Sequence, residues 1–69
     1  MNFKKFMDMY DNWNGIIRIN DDNLNVIIEG KTVDIIETRK DLYDKEVVAF
    51  GFYDGVLCIR VAVFETAQI

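Results

Sequence analysis

The stretch EVVAFGFYDGVLCIRVAVF, residues 46–64, most constrains what this chain can fold into. Two long apolar runs flank Asp54-Gly55, and this pair favours a two-residue type I′ turn because both central positions need a positive φ. The stretch therefore predicts a long β-hairpin, and the turn determines its register. The predicted cross-strand pairs are Tyr53 with Val56, Phe52 with Leu57, Phe50 with Ile59, and Val48 with Val61.

This register divides the hairpin into two faces. One face is wholly apolar, and we expect it to be core: Val48, Phe50, Phe52, Leu57, Ile59 and Val61. The other face has small side chains, is half apolar and carries one charge: Val47, Ala49, Gly51, Tyr53, Val56, Cys58, Arg60 and Ala62. A solvent-facing side of a sheet is normally more polar than this. We therefore expect the second face to be partly covered by the N-terminal helix, a second subunit or a ligand.

The N-terminal half predicts one helix and two strands. In FKKFMDMY, residues 3–10, apolar side chains recur at helical spacing, and Asn2 is a suitable N-cap. A helix of two turns needs a packing partner, and a sheet is the expected one. Strands are predicted over 16–19 and 24–29, separated by the turn-forming NDDN of residues 20–23.

Residues 30–42 fit two interpretations. Gly30-Lys31 can form a hairpin turn that pairs Ile28 with Val33 and Val26 with Ile35. Alternatively, Thr32 caps a short helix within residues 33–42, whose early acids and late bases suit the helix dipole. Its β-branched residues argue against a helix, but we favour the helical interpretation. The whole chain, 1–69, is then a single α+β domain: a short N-terminal helix packed on a small antiparallel sheet of about four strands, ending in a long C-terminal β-hairpin.

The composition limits the chemistry. The chain has 69 residues, one cysteine and no histidine, so an internal disulfide is impossible and the usual general base and zinc ligand are missing. We expect no catalytic residues, no cofactor and no metal site, since the acidic pairs lack the spacing of a calcium loop. Because so short a chain builds a marginal core, we also expect a homo-oligomer.

The charge, the N-terminal residues and the single cysteine together indicate a cytoplasmic protein without general nucleic-acid binding. The net charge of −4 argues against general nucleic-acid binding, which needs a basic surface. Residues 1–10 hold no apolar run suited to a signal peptide, and no segment is long enough to predict a membrane span. The single free Cys58 is typical of a reducing compartment.

The stretch MYDNWNG, residues 9–15, is the best candidate site. In the functional interpretation it is a recognition loop in which Trp13 stacks on a nucleobase. Asp11, Asn12 and Asn14 then supply polar groups that read its edge, and either Arg18 or Arg60 binds a phosphate. In the alternative interpretation the stretch is only a turn, with Trp13 closing one end of the core.

The stretches YDNWNG, NDDNLN and DLYDKEVVAFGFYDGVLCIRV resemble a group of small proteins encoded by phages and prophages of Gram-positive bacteria, gut species especially. The resemblance covers nearly the whole chain. It implies a viral protein that interferes with host defence, either by inhibiting a host protein or as a sponge. The expected build is similar to that of the sponge proteins called sequestins, small oligomers that hold cyclic nucleotide signals.

Two functions are therefore expected. The first is a non-enzymatic homo-oligomer that sequesters a nucleotide-like signalling ligand in the host cytoplasm, bound by Asp11, Asn12, Trp13, Asn14, Arg18 and Arg60. The alternative is an acidic inhibitor or adaptor that binds a host protein without a small ligand. Neither function requires a membrane.

Overall fold

A computed structural model describes residues 1–63 of the chain. It contains two short helices, a 3₁₀ turn over Lys40–Leu42, and four strands. The elements in chain order are α1 (Phe3–Asp8), β1 (Ile16–Asn20), β2 (Val26–Lys31), α2 (Thr32–Thr38), β3 (Glu46–Tyr53) and β4 (Val56–Ala62). The predicted α+β class is confirmed. Phe64, the last residue of the predicted hairpin, and residues 65–69 of the predicted domain lie outside the described residues.

The four strands form one sheet in the order β2-β1-β4-β3. The prediction of an antiparallel sheet is wrong for its central pair, because β1 and β4 run parallel. Parallel neighbours need a long crossover between them, and here β2, α2 and β3 provide it. As a result, the first and last strands occupy the centre of the sheet, and β2 and β3 are its edges.

The C-terminal hairpin forms around the predicted turn. Asp54 and Gly55 have φ values of 53° and 78°, as a type I′ turn requires. Three of the four predicted pairs are confirmed: Tyr53 with Val56, Phe52 with Leu57 and Phe50 with Ile59. The predicted pairing of Val48 with Val61 is wrong, since a bulge at Val48 brings Val47 opposite Val61. The extra residue also moves Val47 from its predicted face to a position against the core.

Both helices contribute to one core on the same side of the sheet. Its largest fully buried apolar side chains come from α1, α2 and the two central strands: Phe3, Met7, Ile17, Ile19, Ile35, Leu57, Ile59 and Val61. The prediction that the other three residues of the apolar hairpin face are core is wrong. Val48, Phe50 and Phe52 are 52%, 65% and 62% exposed. They lie on an edge strand that the six-residue α1 covers only in part, through contacts such as that of Phe6 with Phe50.

The helix termini refine two predictions. Asn2 caps α1 as expected, its Oδ1 accepting a hydrogen bond from the Lys5 amide at 2.8 Å. The helix ends at Asp8, so Tyr10 lies beyond it, although its ring still packs against the core. Residues 32–38 are helical, but the prediction that Thr32 caps this helix is wrong: Thr32 is its first residue, and Lys31 holds the cap position without a side-chain hydrogen bond.

Candidate functional site

The loop over residues 9–15 holds the start of α2 through backbone groups. The carbonyl of Trp13 accepts a hydrogen bond from the Val33 amide at 3.1 Å. The carbonyl of Gly15 accepts one from the Thr32 amide and one from the Thr32 hydroxyl, each at 2.9 Å. The first amides of a helix have no partner within it, and Lys31 offers none from its side chain. This loop therefore takes the place of a side-chain cap.

Trp13 is held in this loop and is 40% exposed. Its indole Nε1 donates to the Tyr10 carbonyl at 2.7 Å, which satisfies its only donor within the chain. Asp11, Asn12 and Asn14 are exposed beside it. The Asn12 amide lies against Gly15, where an added Cβ would stand only 2.7 Å from Asn12 Nδ2. The loop is therefore closely fitted, and part of the indole surface faces solvent.

Arg18 lies in β1 on the sheet face opposite the helices. Its Nε donates to Glu29 Oε1 at 2.6 Å, and its Nη1 lies 4.0 Å from the Cys58 sulfur. The hydrogen bond to Glu29 raises the pKa of the Arg18 guanidinium above its ordinary value. An anion that binds Arg18 must therefore compete with a carboxylate that is already bound.

Arg60 lies on the same open face, in β4, directly opposite Asn20 of β1. Its side chain is exposed and makes no ion pair with any of residues 1–63. Asn20 is the last residue of β1, whereas Trp13 and its neighbours precede the first residue of that strand. At 3.3 Å per residue, the loop and Asn20 therefore lie about 16 Å apart. The structure therefore keeps the four loop residues together but does not bring Arg60 to them.

The open face carries a shallow depression beside Arg60, with a volume of about 90 Å³. It is lined by Asn20, Ala49, Phe50, Gly51, Tyr53, Cys58 and Arg60. Asn20 Oδ1 is buried and has no hydrogen-bond partner among the described residues. Buried acceptors without a partner are rare in native proteins. The volume is that of about three waters, so a larger ligand would lie across this face.

Neither Asn20 nor Tyr53 is predicted to be a site residue from the sequence. Asn20 belonged to a predicted turn, and only the parallel pairing of β1 with β4 brings it beside Arg60. Tyr53 was placed on the correct face, where its ring lies over Gly51 at ordinary contact distance from the position of a Cβ. No local sequence signal marks either residue, because their proximity depends on strand order.

The acidic pair Asp21-Asp22 supports the fold. Asp21 is buried, and its Oδ1 accepts the amides of Asn23 and Asn25, each at 2.9 Å. Asp22 Oδ1 accepts the Val63 amide at 3.1 Å. Across residues 1–63 no three carboxylate or thiol side chains lie close enough together to hold a metal ion.

Comparisons with protein families, with curated proteins and with solved structures found no match to this chain. None of the helices described over residues 1–63 has the length and apolar character needed to cross a membrane. The function is therefore inferred from the geometry of the open face.

Proposed function

We propose that this protein is a non-catalytic binding protein that holds a nucleotide-like anion on the open face of its sheet. One observation carries the proposal: Arg60, which has no ion-pair partner among residues 1–63, stands beside the buried, unpartnered Asn20 Oδ1. The guanidinium offers paired donors that match a phosphate, and the Asn20 side chain, which lines the same depression, would turn its unpartnered amide oxygen toward an N–H of a base as the ligand enters. Tyr53 adds an aromatic surface at the edge of the same depression.

The ligand class is the one that sequence analysis expects, but its position differs. The carbonyls of Trp13 and Gly15 hold the start of α2, and Arg18 is already bound to Glu29. Arg60 therefore becomes the principal anion contact. The shallow depression favours a ligand that lies flat across the strands, which is sufficient for sequestration because no chemical step has to be completed.

Isothermal titration calorimetry tests this function. The full chain at tens of micromolar is titrated with inorganic phosphate, mononucleotides, and cyclic di- and trinucleotides. We expect at least one nucleotide to bind more tightly than phosphate, and Arg60→Gln to weaken that binding about tenfold or more, as expected for the loss of a charge-assisted hydrogen-bond pair. Arg39→Gln is the matched control, because Arg39 pairs with Asp41 outside the depression.

If no nucleotide on the panel releases or absorbs heat, or if Arg60→Gln binds as the unmodified chain does, the proposal is wrong. Asn20→Leu is a second variant, which fills the same strand position without the amide acceptor. This substitution should weaken the binding of nucleotides more than the binding of inorganic phosphate, because phosphate presents no base N–H to that acceptor.

The wider role follows as part of the same proposal. A small protein that holds a nucleotide signal in the cytoplasm of a host cell suits a phage counter-defence sponge. The alternative, an acidic surface that binds a host protein, has less support. An acidic surface of this kind would use the clusters Asp21-Asp22 and Asp41-Asp44, but Asp21 is buried within its own turn and Asp41 is bound to Arg39, so these two acids serve the chain itself.

A further inference from the structure

The edge strand β3 carries an uncovered apolar surface on the helix side of the sheet. Phe50 and Phe52 are both nearly two-thirds exposed. Beside them an apolar groove of about 370 Å³ is lined by Met1, Phe6, Val47, Val48, Ala49 and Phe50. Long, exposed, apolar edge strands are a liability that proteins normally cover or interrupt with charge. The sequence from Val47 to Tyr53, VVAFGFY, contains no charge at all.

The backbone of this edge is available along a defined stretch. At its start, the Val47 amide donates to the Met1 carbonyl at 2.9 Å, and the Phe3 amide donates to the Lys45 carbonyl at 2.8 Å. The N-terminal residues therefore occupy the edge as far as Val47. Between residues 48 and 53, no hydrogen bond from outside the sheet reaches the backbone within the described part of the chain.

The hairpin register determines which groups point outward. A two-residue turn closes on a hydrogen-bonded pair, here Tyr53 with Val56, and hydrogen-bonded and non-bonded pairs then alternate along the strands. Gly51 therefore bonds inward to β4. Phe50 and Phe52 direct both their amides and their carbonyls to the open edge.

We propose that a second copy of this chain pairs with β3 edge to edge and antiparallel, giving a continuous eight-stranded sheet. Phe50 pairs with Phe52 of the second copy, Phe52 pairs with its Phe50, and the two-fold axis passes beside Gly51. The arrangement is self-complementary, because two donors and two acceptors on each copy meet the same set on the other. The inference is independent of the proposed ligand.

The self-complementary pattern of open donors and acceptors identifies a second copy as the occupant, and charge and area limit how tightly it binds. Each chain carries a net charge of −4, so two copies repel unless they meet along an uncharged surface, and residues 47–53 provide one. The two phenylalanines expose roughly 250 Å² per copy, against about 800 Å² per partner in a typical stable complex. Met1 and Phe6 line the groove beside them on the same side. The expected dimer is therefore of moderate affinity, with dissociation in the micromolar range.

Sedimentation velocity of the full chain over a range of concentrations gives the first test. We expect a reversible monomer–dimer equilibrium, and Phe50→Lys should raise its dissociation constant about tenfold or more. Val26→Lys is the matched control, since Val26 is also an exposed apolar residue on an edge strand, β2. Because both residues are exposed, both variants should remain folded, which circular dichroism checks.

Amide hydrogen exchange gives the second test. The Phe50 and Phe52 amides should gain protection as concentration rises, whereas the Gly51 and Tyr53 amides should be protected at every concentration. A chain that stays monomeric at millimolar concentration overturns the proposal, as does a dimer that persists in Phe50→Lys. Phe50 and Phe52 amides that are protected in a monomer also overturn it, because another part of the same chain would then cover the edge.

Discussion

The two edges of the sheet are built in opposite ways. On the β2 side, α2 buries Ile35 and Ile36, and the carbonyls of Trp13 and Gly15 hold the start of that helix. On the β3 side, Phe6 of α1 contacts Phe50 at 4.9 Å between ring centroids, and the ring of Tyr10, which follows the helix, lies 6.5 Å from that of Phe52. The β2 region is thus fastened by hydrogen bonds and buried aliphatic side chains, whereas β3 is hydrogen-bonded to the N-terminal residues only as far as Val47 and is covered loosely from residue 48 to residue 53.

The charges follow the same division. Strand β2 carries Glu29 and Lys31, which discourage pairing with a further strand, and Glu29 is in addition bound to Arg18. Strand β3 carries no charge after Glu46. We conclude that the β2 side stabilises the monomer, whereas the β3 side is suited to a partner.

The largest difference should appear when one apolar side chain is removed on each side. Ile35→Ala should lower the free energy of unfolding by about 2–5 kcal/mol, because Ile35 is fully packed and leaves a cavity. Phe50→Ala should cost less than about 1 kcal/mol in the monomer, although it removes more atoms, because that ring is mostly exposed.

Urea denaturation below the dimer dissociation constant measures both values. Low concentration is essential, since dimerisation would add to the apparent stability of a chain that retains Phe50. Equal losses in the two variants would contradict the division, because the exposed aromatic ring would then stabilise the monomer as much as a core residue does.

The same division separates what sequence could predict from what it could not. The hairpin turn was predictable because Asp54-Gly55 is a local signal, and the α1 cap because Asn2 acts three residues away. Phe50 and Phe52 share a face with Leu57 and Ile59, as predicted. Their exposure depends on β3 being an edge, which in turn depends on the pairing of β1 with β4 between distant parts of the chain.

The candidate site shows the same limit. The MYDNWNG stretch is predicted to be a recognition loop, but the contacts it makes with α2 come from two backbone carbonyls, and any residue type carries such a carbonyl. The proximity of Arg60 to Asn20 required the parallel register, which no short motif encodes. Side-chain identity was therefore informative where contacts are local and insufficient where two strands meet.

A smaller effect is expected from the hydrogen bond that joins the loop to α2. Thr32→Val removes the buried hydroxyl that donates to the Gly15 carbonyl, and should cost about 1 kcal/mol. Thr38→Val is the matched control, because the Thr38 hydroxyl donates to the Asp34 carbonyl at an exposed position. The urea midpoints of the two variants give the comparison. If Thr32→Val and Thr38→Val lower the midpoint equally, the hydrogen bond from Thr32 to Gly15 does not contribute specially to the β2 side.

The smallest effect concerns Asp41, in the segment that leads from α2 to β3. The Arg39 guanidinium, bound to both its oxygens at 2.9 Å, lowers the pKa of this carboxyl from its ordinary 3.8. A carboxyl whose pKa is lower in the folded chain stabilises the fold when the pH is above its pKa in the unfolded chain. That contribution disappears as the pH falls through its pKa in the folded chain. Asp41→Asn should therefore slightly lower the urea midpoint at about pH 7 and leave it unchanged at about pH 2.

The matched control is Asp44→Asn, since Asp44 makes no ion pair within residues 1–63. If the urea midpoint of Asp41→Asn is still lowered at about pH 2, Asp41 acts through its shape and not its charge. The ion pair with Arg39 would then not stabilise the segment between α2 and β3.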